Sequence, residues 1–178
     1  PWVFEGDSEI AGLDSTLVLD GASMLTVNNS STLRIKSLRI VAKDIAALQI
    51  LDANSKIIFE NCKLIVEAGG LDMDSGSVDI LGRTQILGGS TAAADTDSKF
   101  VFSSQGDLTV LGGSTLYLGK NLEFEYRPDP SGDSGIVFEQ KRHLILADPT
   151  ATLELDGCNL HSTFTGMAID YGRVVVLD

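Results

Sequence analysis

The sequence IIFENCKLIV, residues 57–66, decides the fold that we predict for this chain. Two short apolar runs, at 57–59 and 64–66, flank the polar tetrapeptide 60–63. The apolar residues show no helical spacing, and their alternation is typical of strands. The sequence TLELDGCNLH, residues 152–161, repeats the pattern, because Phe59 to Leu64 and Leu155 to Leu160 are both five positions apart. We interpret each stretch as two strands that meet at a recurring corner of a coil.

Each of these corners contains a cysteine three positions after the first apolar residue. Because Cys packs as a small hydrophobe, we predict that both thiols are buried, reduced and stacked on neighbouring coils. The residues predicted to stack at corners are Asn61, Cys62, Cys158 and Asn159. With ~20 residues per coil and ~4.8 Å between coils, the two sulfurs would be ~20 Å apart and could not form a disulfide.

Apolar residues recur at a fixed distance across polar turns along most of the chain. Six positions separate Leu19 from Leu25, Val27 from Leu33, Leu51 from Ile57, Ile80 from Ile86, Phe102 from Leu108, Val110 from Leu116, and Phe138 from Leu144. Fixed spacing predicts a repeated structural unit. The linkers, such as residues 20–23 and 52–56, lack the two-residue Asn-Gly or Asp-Gly loops of hairpins and favour corners.

These patterns predict an all-β fold, a right-handed parallel β-helix of roughly 7 to 8 coils with little or no α-helix. An antiparallel sandwich or barrel is the alternative that the spacing leaves open. Residues 89–98 and 127–135 are polar and turn-rich, and we interpret them as loops that leave the coils. Because the strand pattern resumes after each, we predict one domain over residues 1–178.

Several segments resemble the repetitive right-handed β-helix surface proteins of bacteria, such as autotransporter and adhesin passengers. The segments that carry the resemblance are TLRIKSLRI at 32–40, residues 57–64, STLYL at 114–118 and LEFEY at 122–126. The resemblance implies an extracellular or cell-surface protein with a structural or adhesive role, and it supplies no catalytic residues. Host or surface glycans are the partners that an adhesive role would imply.

Composition narrows the classes of partner. The chain has 178 residues, of which 43% are hydrophobic and 21% charged, and its formal net charge is −12. This acidity argues against nucleic-acid binding, which requires Lys and Arg to neutralise phosphates. No apolar run reaches the ~18 residues of a membrane span, so we predict no membrane insertion. The sequence starts without Met, and we expect it to be a unit or fragment of a longer or self-assembling fibre.

A polysaccharide lyase or hydrolase on a β-helix would need clustered carboxylates on one outward face. The acidic candidates are Asp72, Asp74, Asp79, Asp95, Asp97, Asp129 and Asp133. None forms an adjacent Asp pair, and the two histidines, His143 and His161, are far apart in the sequence. We therefore predict no enzyme activity and no cofactor, with convergence of these carboxylates in one groove as the observation that would favour the enzyme.

Calcium is the one metal that the sequence suggests. Residues 72–76, DMDSG, begin like a calcium-binding EF-hand loop, but Gly76 falls one position early and Arg83 stands where the closing Glu belongs. Asp72 and Asp74 are therefore weak calcium candidates, and we predict no dedicated metal site.

The two ends of the predicted helix carry apolar residues. A β-helix leaves its first and last coils as open sheet edges, which natural solenoids cover with polar caps. Here the candidates are Trp2 and Phe4 at one end and Val174 and Val176 at the other. We predict that these residues mediate head-to-tail contact with identical copies, which would propagate as a filament.

Overall fold

The computed structural model describes residues 1–67, 69–89, 98–104, 106–126, 144–162, 169 and 171–177. Across these residues the regular secondary structure consists of strands alone. The strands are β1 (Trp2–Glu5), β2 (Ser8–Leu19), β3 (Leu25–Asn28), β4 (Thr32–Ala42), β5 (Leu48–Ile50), β6 (Lys56–Glu60), β7 (Lys63–Val66), β8 (Leu71–Met73), β9 (Ser77–Leu81), β10 (Arg83–Gly88), β11 (Ser98–Phe102), β12 (Leu108–Val110), β13 (Thr115–Leu118), β14 (Leu122–Tyr126), β15 (Leu144–Leu146), β16 (Thr152–Asp156), β17 (Asn159–Ser162) and β18 (Arg173–Leu177).

Every strand pairing in the described ranges is parallel. Three sheets result, with the strand orders β1-β3-β5, β15-β12-β9-β6-β4-β7-β10-β13-β16-β18 with β2 beside β4, and β17-β14-β11-β8. Neighbouring strands are distant in sequence, since Trp2 lies beside Leu25 and Leu25 beside Leu48. The chain is therefore an all-β protein with the parallel pairing of a β-solenoid, and the antiparallel alternative is wrong for these residues.

Strand β4 explains how one sheet turns a corner. Its residues 32–36 pair with β6, and its residues 39–42 pair with β7. Between the two halves, Ser37 has a φ of 53°, a left-handed conformation that bends the strand. The corner around Cys62, which joins β6 to β7, consequently stacks on this bend.

The core consists of inward-facing side chains that form columns along the stack. Burial alternates along β6 and β9, as expected for strands with one buried face. One column contains Leu17, Ile40, Leu64, Ile86, Leu118, Leu155 and Val176, each beside the next in register. A second pairs Phe100 with Phe124, whose ring centroids lie 5.3 Å apart in an edge-to-face arrangement.

The two cysteine corners are not copies of one corner, contrary to the prediction. Cys62 lies between β6 and β7, which both belong to the eleven-stranded sheet, whereas Cys158 lies between β16 of that sheet and β17 of the four-stranded one. The spacing of apolar residues recurs because any corner must return an inward-facing residue to the core, whichever sheets it joins. Cys158 is also only half-buried, whereas Cys62 is buried as predicted.

Most of the two predicted loops falls outside the described residues. Positions 90–97 of the first and 127–135 of the second are not described, while Ser98 already belongs to β11. In the described part of the chain, no helix has the length and apolar character needed to span a bilayer.

Candidate functional site

The first coil exposes residues that face the inside of the stack. Trp2 lies beside the fully buried Leu25, yet 57% of its surface is exposed. Phe4 lies beside buried Val27 and is itself only half-buried. Strands β1 and β2 each have a partner on one side only among the described strands. This end is therefore an open sheet edge with apolar side chains across it.

The last coil has the same character. Among the described strands, β18 ends the order of its sheet and pairs with β16. Val174 and Val176 lie beside Leu153 and Leu155 in register, and they are 46% and 73% exposed. Burying a Val or Leu side chain fully contributes roughly 1.5 to 3 kcal/mol. The four residues predicted for end-to-end contact thus occupy the two open ends of the stack.

The Cys62 corner is held by contacts between coils. Asn61 has a φ of 51°, and its Oδ1 accepts a hydrogen bond from the Arg83 amide of the neighbouring strand at 3.0 Å. The Cys62 thiol donates to the Ile35 carbonyl at 3.1 Å. Burial raises the pKa of this thiol. These contacts join Asn61 and Cys62 to the neighbouring coils, while the stacking of corner residues on one another stays a prediction.

The Cys158 corner is more open. Burial also raises the pKa of the Cys158 thiol, although the side chain is only half-buried. Asn159 is exposed and pairs in register with Glu123 of the neighbouring strand. Neither cysteine forms a disulfide.

The acidic candidates do not converge where they are described. Asp72 lies on β8 and accepts a hydrogen bond from the Ser103 hydroxyl at 3.0 Å. Asp79 lies on β9, in another sheet, and forms an ion pair of 2.8 Å with Lys56. Asp74 is exposed in the turn between these strands. The remaining candidates, Asp95, Asp97, Asp129 and Asp133, and the histidine His143 lie outside the described residues.

The described residues that come together as potential metal ligands are Glu123, Glu125 and His161. Asp72 and Asp74, the weak calcium candidates, are not joined by a third acidic, His or Cys side chain in the described ranges. The absence of a dedicated calcium site there stays a prediction. Sequence reasoning missed the Glu123 cluster. The alternation in LEFEY does place both glutamates on one face. The pairing of His161 with Glu125, however, joins residues 36 positions apart in the sequence.

No family model, no curated protein and no solved structure matches this chain. The resemblance to bacterial surface β-helices therefore stays an interpretation of the sequence.

Proposed function

We propose that this chain is a structural protein that stacks head to tail with copies of itself to form a fibre. The supporting observation is the aliphatic column from Leu17 to Val176. Its middle members, such as Leu64, are about 1% exposed, whereas Leu17 is half-buried and Val176 is 73% exposed. An aliphatic side chain occupies every level of the column. Among the described residues, exposure is greatest at the Val176 end, where Leu155 one level further in is also only partly buried.

Head-to-tail contact would continue the pattern that already holds each coil to the next. Strand β18 of one copy would pair in parallel with residues 15–19 of the next, and Val176 would take the position beside Leu17. The exposed edges of both strands would gain backbone partners, which removes the open edges that otherwise invite irregular association. The net charge of −12 would oppose lateral clustering of the fibres.

The proposed fold is a right-handed parallel β-helix of roughly 7 to 8 coils that forms a single domain. Right-handedness follows from the rule that ~98% of crossover connections between parallel strands of one sheet are right-handed. The coil count rests on the grouping of described strands in threes, for example β5, β6 and β7 followed by β8, β9 and β10. The extracellular or cell-surface location rests on the resemblance of the repeat segments.

Val176→Asp tests the assembly, because it places a charge at the centre of the proposed contact. We expect the unaltered chain to form filaments, visible by negative-stain microscopy and as fast-sedimenting species, and the variant to remain a folded monomer. Ile45→Asp is the matched control, since Ile45 is 57% exposed but lies between β4 and β5, away from both ends. A dispersed monomer of the unaltered chain at high concentration would show that the proposal is wrong, as would filaments of Val176→Asp.

Glycan binding by an adhesin-like module is the second candidate. One observation favours it: on the outer face, the Arg83 guanidinium lies 5.4 Å from the centroid of the Tyr117 ring, with Glu154 and Asp156 beside them. The polar groups of this cluster already bond one another, since Arg83 pairs with Glu154 at 2.7 Å and the Tyr117 hydroxyl donates to Asp156. A sugar would have to replace these bonds, so we prefer the fibre. A polysaccharide lyase or hydrolase ranks third because the described acidic candidates, Asp72, Asp74 and Asp79, do not converge in one groove.

A further inference from the structure

The register of three strands brings a mixed set of ligand groups together on the outside of the four-stranded sheet. Leu122 and Phe124 of β14 face the core and are fully buried, so Glu123 and Glu125 face outward. Glu125 pairs in register with His161 of β17, and Glu123 pairs with Lys99 of β11. The ligand atoms of Glu123, Glu125 and His161 all lie within 4.8 Å of one another.

We propose that Glu123, Glu125 and His161 form a binding site for a divalent transition-metal ion, which competes with the Lys99 ammonium for the two carboxylates. The donor set is two carboxylates and one imidazole, not carboxylates alone. Imidazole favours Zn²⁺ and its neighbours, whereas Ca²⁺ and Mg²⁺ prefer oxygen donors only. Three protein ligands with one position left for water is a common arrangement for zinc.

The geometry requires only side-chain movement to admit the ion. Zinc binds nitrogen and oxygen at ~2.0 to 2.2 Å, so tetrahedral donors are ~3.4 Å apart and these groups must close by no more than ~1.5 Å. The paired strands fix the backbone positions of the ligands, and the rotatable bonds of two glutamates can supply this closure. The side chain of Glu125 is 4% exposed and that of Glu123 33% exposed, while His161 is exposed. The site is thus buried on one side and open to ion entry on the other.

The carboxylates of Glu123 and Glu125 already bind one cation, the ammonium group of Lys99. Its Nζ lies 3.1 Å from Glu123 Oε1 and also contacts Glu125 Oε2. A metal ion must displace the ammonium, whose flexible stem allows it to move into solvent. Removing Lys99 should therefore strengthen metal binding, and this is the opposite of what a purely structural ion pair would predict.

Titration calorimetry of the full chain with Zn²⁺ tests the proposal. We expect one saturable site per chain, about 10-fold or more weaker in His161→Ala and several-fold tighter in Lys99→Met. Ca²⁺ should bind more weakly than Zn²⁺ and should lose little on His161→Ala. Glu154→Gln is the control for loss of an acidic residue, because Glu154 lies in another sheet.

Cys158 is the competing zinc ligand that the experiment must separate. Cys158→Ser should leave Zn²⁺ affinity unchanged, and Co²⁺ bound to the unaltered chain should show no sulfur-to-metal charge-transfer band. Equal Zn²⁺ affinity in the unaltered chain and His161→Ala would overturn the proposal, as would loss of binding in Cys158→Ser. If Zn²⁺ binding does not saturate, the ion is an adventitious ion only, and this outcome also overturns the proposal. Because His161 is exposed, its variant should fold, and metal binding can be scored whether or not the chain assembles into fibres.

Discussion

The corners around Cys62 and Cys158 share one spacing of apolar residues, yet they differ in how neighbouring coils enclose them. The Cys62 corner lies between the bend in β4 and the turn at Gly82. Asn61 bonds the neighbouring coil through both its backbone amide, which donates to the Leu81 carbonyl at 3.1 Å, and its side chain, which accepts from Arg83. This corner is enclosed on both sides.

The described residues enclose the Cys158 corner less completely. Asp156, which precedes the corner, pairs in register with Leu177 of β18, but β17, which follows it, has a neighbour on one side only among the described strands. Gly157 is exposed, and a Cβ added there would meet the aliphatic part of the Lys120 side chain. The position of a corner within the stack, rather than its local sequence, therefore sets how tightly it is packed.

The largest expected effect comes from adding one methyl group at each corner. Gly82 has a φ of 64°, and a Cβ placed there would lie 2.1 Å from Asn61 Oδ1. Gly82→Ala combines backbone strain with loss of the Asn61–Arg83 bond, and we expect it to lower the free energy of unfolding by roughly 3 kcal/mol. Gly157 has a φ of 61°, but the nearest contact of its Cβ would be with the flexible Lys120 side chain, at 3.2 Å from Cγ. Gly157→Ala should cost only the backbone strain, about 1 kcal/mol.

Urea unfolding followed by circular dichroism measures both values. Gly113→Ala isolates the strain, because Gly113 has a φ of 70° and no atom lies within 4 Å of its would-be Cβ. If Gly82→Ala cost no more than Gly113→Ala, the Cys62 corner would not be the tighter of the two.

The second-largest expected effect is a difference in native thiol-labelling rate between Cys62 and Cys158. Cys62 is 2% exposed and Cys158 is half-buried, so the native chain should label at Cys158 first and at Cys62 only on unfolding. Burial raises the pKa of both thiols, so thiolate is scarce at neutral pH and the labelling rate should keep rising above the usual thiol pKa. Mass spectrometry of partially labelled chain identifies the site. Equal native rates would contradict the difference in packing.

The strand pattern could be predicted from the sequence because local alternation determines it. Residues 57–59 and 64–66 lie in β6 and β7 as predicted, and the positive φ at Asn61 agrees with a residue that tolerates left-handed turns. The parallel pairing also agrees with the corner-like linkers. Each of these features depends on residues within one coil.

Features that depend on register between coils could not be predicted in this way. Asn61 and Arg83 form a hydrogen bond although they are 22 positions apart in the sequence. Glu125 and His161, which are paired in register, are 36 positions apart. The register step is 23 positions from Leu25 to Leu48 but 36 from Leu108 to Leu144. Because insertions at corners change the step from coil to coil, a spacing within one coil cannot specify which side chains become neighbours.

The smallest expected effect is on the pH dependence of stability. It should differ between the two corners, because a glutamate, Glu60, titrates beside the first and a tyrosine, Tyr117, titrates beside the second. At Glu60, beside the Cys62 corner, burial acts in the opposite direction but hydrogen bonds from Arg34 and Lys36 lower the pKa below its ordinary value. Its contribution is present above the unfolded pKa, ~4.3, and is lost as pH falls through the lower folded pKa. At Asp156, beside the Cys158 corner, the hydrogen bond that Asp156 accepts raises the pKa of Tyr117 to about 12. The contribution of the Tyr117–Asp156 hydrogen bond to stability is complete below the unfolded tyrosine pKa of ~10 and is lost as pH rises through the folded value.

Glu60→Gln should therefore flatten the acid limb of the unfolding profile, and Tyr117→Phe the alkaline limb. Unfolding midpoints measured across both limbs test this, and a variant that flattened the opposite limb would contradict the assignment of the two pairs.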